Sequence, residues 1–434
     1  MKILLVSHGY PPTGVAGVER LSALTAEGMN ERGHQVTVLT RQPSEQPAAL
    51  KVQHEVRWGV EVLSIVGGGS SFERFPGREP VLERVFEQVL ARVDPDVVLV
   101  THLLHHSPGY VSVAHRFGVP VVLELHDFFM VCPRVHLRRR SGELCGGPEA
   151  GSACARHCFG DQPDPLLRWS LRAESFAQAL READSVTAPS RFVADRFAPL
   201  RGEKSPIAII PNSVPPLGPV LRSEPEPEAP LRLASIGVTV EHKGFQTVVE
   251  ALRMASVSSS EYTIFGVALP PLSRQLHEAA ADVPGLNLRL FNGFSPQHLP
   301  VLLADADAVV VPSIVPETYS MVAREAFACG VPVIAAAIGA LPEAIREGDN
   351  GWLFEPGDAA SLAELIQRFD ADRSLLRRAA AGIRPEDVTS VDARCEQVEA
   401  VLESAVAGGP DAATRGAELG LMREALSAAD RRRA

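Results

Sequence analysis

Read for hydrophobic periodicity alone, the chain alternates short apolar runs with stretches in which apolar residues recur every three or four positions. Runs at 3–6, 35–39, 60–66, 96–101, 119–125, 185–188 and 207–210 have the length and β-branched content of buried strands. Helical recurrence separates them, as in Val18, Leu21, Thr25 and Met29 or across 81–93. A second series begins at 231–237 and continues through 262–265, 286–290, 309–311 and 331–335. Strands alternating with helices predict parallel sheets covered on both faces.

Between the two series, residues 205–230 are rich in proline and glutamate and form a stiff, acidic connector. The pattern predicts an N-terminal domain over 1–213, a linker over 214–230 and a C-terminal domain over 231–387. In the segment 388–407, Val391, Cys395, Val398, Val401 and Leu402 predict an amphipathic helix, followed by a tail over 408–434.

A length of 434 residues fits two or three domains with full cores. The net charge of -11 argues against a general nucleic-acid binder, which needs a basic face. Phosphate must therefore be held locally. The first apolar run ends at Ser7-His8-Gly9, too short for a signal peptide, and no window reaches 18 apolar residues. These features predict a cytoplasmic protein, with a peripheral place at the inner membrane face as an option. Four of the six cysteines fall at Cys132, Cys145, Cys154 and Cys158, within a polar insertion over about 130–162. Three readings fit them: a structural zinc, free thiols or a redox pair, and an iron–sulfur cluster.

The richest stretch runs from Pro316 to Ile334 and reads as loop, helix, Gly330 stop and buried strand. Glu317 is expected just before the helix and Glu325 about two turns into it. As a continuous helix their spacing is ~12 Å, a span that suits two ends of an elongated polyol. The helix start would attract a pyrophosphate between them.

Glu, seven residues, Glu, a small-residue turn and Pro-Val-Ile resemble the donor-site signature of family 4 glycosyltransferases, and the resemblance runs from Met1 to about Ala407. It implies the GT-B fold, an α/β architecture of two doubly wound Rossmann-like domains facing across a cleft. It also implies a retaining transferase that takes a nucleotide-sugar donor and needs no divalent cation for transfer. The acceptor would be a glycan, a lipid-linked molecule or a small molecule.

The resemblance then assigns roles residue by residue. Glu325 would accept hydrogen bonds from the ribose, and Glu317 would hold hydroxyls of the transferred sugar. Thr318, Tyr319 and Ser320 would offer backbone amides to the phosphates. Lys243, in the turn Gly237-Val238 to Lys243-Gly244, would neutralise the departing pyrophosphate. Val238 stands where the family carries an arginine, and Arg20, Arg191 and Arg324 are candidate substitutes. His126, directly after the predicted strand 119–125, would steady the sugar. The opening Pro11-Pro12 with Gly14 and Gly17 matches the family's phosphate-facing loop, without its tandem glycine. Arg134, Arg138, Arg139 and Arg140 form either a solvated basic loop or a clamp on an anionic acceptor. Two rival functions remain: another GT-B enzyme such as a sugar-nucleotide epimerase, and a non-catalytic nucleotide-binding subunit of a glycan-assembly complex.

Overall fold

The computed structural model describes residues 1–14, 16–42, 50–68, 77–204, 206–220 and 229–409. Residues 221–228 of the connector and the tail from 410 onward lie outside the described residues. The chain divides into two compact units. One contains Met1–Pro211 together with Val391–Ala434, and the other is Asn212–Ser390.

The first unit is built on eight strands: β1 (Lys2–Val6), β2 (Gln35–Gln42), β3 (Lys51–Arg57), β4 (Val60–Val66), β5 (Val97–Val100), β6 (Val121–Glu124), β7 (Ser185–Ala188) and β8 (Ala208–Ile209). Their order is β3-β4-β2-β1-β5-β6-β7-β8, parallel except for the β3–β4 pair. Ile3 to Val6 and Val97 to Val100 are buried on both faces, which is why they read as unbroken apolar runs. β3 carries alternating charge, is exposed and escaped the apolar pattern.

The second unit has six parallel strands: β9 (Leu231–Val238), β10 (Ser260–Val267), β11 (Leu286–Asn292), β12 (Ala308–Val311), β13 (Val333–Ala336) and β14 (Gly351–Phe354). Their order is β11-β10-β9-β12-β13-β14. In each unit the chain lays strands outward on one side, returns to the middle and continues on the other. The reversal falls between β1 and β5 in the first unit and between β9 and β12 in the second. At such a reversal the loops leaving two neighbouring strands diverge, and a crevice opens beyond their carboxyl ends.

The C-terminal helix, Val391–Gly408, belongs to the first unit. Cys395, Val398, Leu402 and Ala405 share a core with Ile3, Leu5, Met29 and Leu99. Arg394 enters the same interior at 1% exposure. No helix among the described residues is long and apolar enough to cross a membrane.

Candidate functional site

In the second unit, the loop after β9 closes in a tight helical turn, Glu241–Lys243, and then Gly244. Gly244 has a φ of +71°, and a Cβ there would lie 1.9 Å from the Pro312 carbonyl oxygen. Only glycine lets this loop press on the one after β12. The His242 carbonyl accepts from the Ile314 N–H at 3.0 Å, stitching the two loops together. Lys243 is thereby delivered to the residues that follow β12. Its Nζ lies 2.8 Å from Glu317 Oε1, and the same oxygen accepts from Ser313 Oγ at 2.5 Å. Burial pushes the Glu317 carboxyl up, but the Lys243 charge and these hydrogen bonds bring it below the usual carboxylate range.

The backbone of Glu317 is fixed from a third loop. Its carbonyl accepts from the Ala340 N–H at 2.8 Å, and it bridges to Gly339. Gly339 has a φ of +65°, and a Cβ there would lie 2.3 Å from the Glu317 oxygen. The helix Met321–Ala328 follows, entered through Ser320 at a φ of +63° with no side-chain cap. Its first N–H groups lack intrahelical partners, as in every helix, and give this end a partial positive charge. Because residues 317–320 are loop, Glu325 lies little more than one turn into the helix, not two. The ~12 Å helical span does not apply. Glu325 is buried, at 4% exposure.

In the first unit, the crevice between β1 and β5 is lined by histidines. His8 follows β1 and His102 follows β5, with ring centroids 4.3 Å apart. His8 Nε2 is 3.0 Å from Glu19 Oε1, and His102 Nε2 is 2.8 Å from Asp127 Oδ2. At the end of β6, the buried His126 has its Nε2 3.0 Å from Glu124 Oε2, and the other oxygen of Glu124 takes Arg394 Nη2 at 2.6 Å. Burial pushes the Glu124 carboxyl up, yet Arg394 and His126 outweigh it and hold the group at about 2.

Residues 15–216 match the family profile described as Glycosyltransferase Family 4, and residues 221–384 match the one described as Glycosyl transferases group 1. HepE of Anabaena, solved in complex with UDP-glucose, superposes with a TM-score of 0.63 at 18% identity, over 93% of this chain and 100% of that one. The chain belongs to the GT-B glycosyltransferases. It is 26% identical over 408 residues to a glycogen synthase of Mycobacterium tuberculosis, covering 90% of this chain and 91% of that protein. It is also 33% identical over 148 residues to the amylovoran biosynthesis glycosyltransferase AmsK of Erwinia amylovora, covering 32% and 36% respectively.

Within this glycosyltransferase the structure brings together Lys243, Glu317 and the helix bearing Glu325. Gly237 and Val238 end β9, with Val238 38% exposed. Of the three candidate substitute arginines, Arg20 and Arg191 lie in the other unit. Arg324 stacks on Tyr319 at 4.8 Å and donates to the Asp387 carbonyl at 2.9 Å. Tyr319 is buried, and Thr318 is half-buried. The Gly14 N–H is spent on the Tyr10 carbonyl at 3.2 Å. Gly14 instead makes room for a side chain, since a Cβ there would lie 2.9 Å from Glu19 Cγ. Gly17 starts the first helix and faces open space.

Cys132, Cys145, Cys154 and Cys158 share one neighbourhood, and Cys154 feels the other three. None of them forms a disulfide. Burial, reinforced by the neighbouring cysteines, pushes Cys154 up to about 12. Among the described residues no group of three or more His, Cys, Asp or Glu side chains is arranged to hold a metal ion. The basic loop beside them is largely self-satisfied. Arg138 Nε donates to the Gly142 carbonyl at 2.7 Å, Arg139 pairs with Glu143, and Arg140 pairs with Asp161.

His8, Glu19, His102, Glu124, Ser313, Gly339 and Arg394 are among the residues that sequence reasoning did not single out. Glu124 did leave a trace, as a charge inside the apolar run 119–125.

Proposed function

We propose that this GT-B glycosyltransferase moves a sugar from a nucleoside-diphosphate sugar to an acceptor hydroxyl, with retention, in building a surface glycan or glycoconjugate. The observation that carries the proposal is the Lys243–Glu317 pair at the β9/β12 reversal, beside the start of the helix Met321–Ala328. A diphosphate arriving there meets unpaired N–H groups and a cation held by a single carboxylate. Lys243 exchanges Glu317 for the phosphate, and the released carboxylate accepts sugar hydroxyls. Glu325 accepts the ribose hydroxyls. As the bond between the sugar and the diphosphate breaks, Lys243 and the helix start stabilise the charge on the leaving group, the main catalytic term in this scheme. His126, whose ring Glu124 and Arg394 fix, is carried over from the family resemblance as the proposed sugar contact. The bound UDP-glucose of HepE and the biosynthetic role in the name of AmsK support the donor class and the setting. Retention is carried over from the family resemblance. A lipid-linked acceptor would bring the enzyme to the inner membrane face.

The test is transfer of radiolabelled sugar from UDP-, GDP- and dTDP-sugars to glycan and lipid fractions. Product that requires both acceptor and Lys243 supports the proposal. Epimerised donor without acceptor would point to a different GT-B enzyme. A second reading has one observation behind it, the half-exposed Val238 in place of an arginine. It makes the chain a nucleotide-binding subunit, and binding without turnover in every acceptor fraction would favour it.

A further inference from the structure

The first unit carries an apolar surface that its own core does not use. Helix Pro165–Glu182 turns Trp169, Arg172, Phe176 and Leu180 inward, and the ring of Phe159 stacks on Trp169 with centroids 4.2 Å apart. At 3.6 residues per turn, Leu166, Leu167 and Leu171 fall on the opposite side. They are 55 to 62% exposed. Farther along, the same side carries Glu174, Gln178 and Arg181, so the outward face is apolar only over its first two turns. Leu144 is the one other exposed leucine of the first unit among the described residues.

A basic loop is tied to the approach to this helix. Arg138 bridges to Leu144, and the turn between them holds Arg139 and Arg140. Arg140 Nη1 is 3.3 Å from Oδ2 of Asp161, just before the helix. Over 132–160 there are five arginines against two glutamates, a balance of +3 in a chain whose net charge is -11. The Arg139–Glu143 and Arg140–Asp161 pairs lie at the surface, where ion pairs are held weakly enough for another anion to take the cation.

Protein interfaces draw their anchors from exposed aromatic side chains. Here Phe159, Trp169 and Phe176, the aromatic residues of 130–182, are all buried. Protruding leucines beside a locally positive loop suit instead an anionic surface with an apolar layer beneath it. We propose that this face docks the enzyme on an anionic lipid bilayer, with Leu166, Leu167 and Leu171 entering the interface and Arg139 and Arg140 on the lipid phosphates. For its purpose, to bring the transferase to a lipid-linked acceptor, this rests on the reading above, while the docking itself needs no transfer chemistry.

The full chain is sedimented with vesicles of phosphatidylcholine and with vesicles that also contain phosphatidylglycerol, and nucleotide affinity is measured in parallel by calorimetry. Wild type should bind the anionic vesicles roughly tenfold or more tighter than the neutral ones, and raised salt should weaken that binding. Leu166→Ser, Leu167→Ser and Leu171→Ser combined should lower vesicle binding by about tenfold or more. Arg139→Gln with Arg140→Gln should lower it about tenfold on anionic vesicles and leave binding to neutral ones unchanged. Circular dichroism establishes that each variant is folded. A wild type that ignores both vesicles, or binds them equally, overturns the proposal and leaves an acidic protein as the partner of this face. So does a folded leucine variant that binds anionic vesicles as wild type does. If the vesicles bind as expected and no nucleotide does, the donor reading falls and the docking face stands.

Discussion

Arg394→Ala should destabilise the first unit far more than a surface arginine substitution does. The guanidinium is 1% exposed, lies 2.6 Å from the equally buried Glu124, and also reaches the carbonyls of Ile210 and Pro211 at 3.5 and 3.4 Å. The Glu124 carboxyl stands at about 2 in the fold, against 4.5 for the free group. A depression of that size is equivalent to about 3 kcal/mol at neutral pH. Removing the arginine strands a buried carboxylate, with a typical cost of ~3–5 kcal/mol. In a domain of this size each kcal/mol moves the midpoint by roughly 2–4 °C. The sign with pH follows from the depressed value. The contribution is complete above 4.5 and fades as pH falls toward about 2, so the gap between wild type and variant should narrow across that range. Differential scanning calorimetry at pH 7 and pH 3 reads both effects. A variant within about 1 kcal/mol of wild type at pH 7, or a gap that stays constant with pH, would refute the reasoning.

Three further outcomes are expected. Gly339→Ala forces a Cβ to within 2.3 Å of the Glu317 carbonyl at a φ that disfavours it, and should weaken nucleotide affinity at least tenfold while Gly17→Ala, which meets nothing within 4 Å, does not; calorimetry on both decides. Native alkylation with iodoacetamide should reach Cys145 and Cys158, which are half-buried, well before Cys154 or Cys329, both buried and pushed up to about 12. One tightly held zinc per chain by elemental analysis would instead show that the four-cysteine cluster closes around an ion. Ser313→Ala removes a bond to Glu317 Oε1 and leaves the one to Lys243; the carboxyl should then titrate higher, which carboxyl carbon NMR can follow.

Much of the fold was legible because a parallel sheet buried on both faces needs unbroken apolar strands, and 3–6, 119–125 and 331–335 are such runs. β3 was not, because an exposed edge strand such as Lys51–Arg57 has no apolar face to betray it. Lys243 and Glu317 were legible through local motifs. What holds them was not: Ser313 and Gly339 act through contacts that only the folded loops create. Arg394 lies 270 positions from Glu124, and no local pattern reports a pairing at that distance. The two-turn placement of Glu325 failed because helical periodicity was extended back through residues that form a loop. The four cysteines were legible as a group from their spacing, and the folded insertion gathers them.

In the proposed transferase the second unit holds a nucleoside diphosphate at Lys243 and Glu325. Calorimetric titration of UDP, GDP and dTDP into wild type, Lys243→Ala and Glu325→Ala tests it directly. One nucleotide should bind well above the others, and both substitutions should weaken it by tenfold or more. Equal affinity in all three proteins, or no binding of any nucleotide, would contradict it.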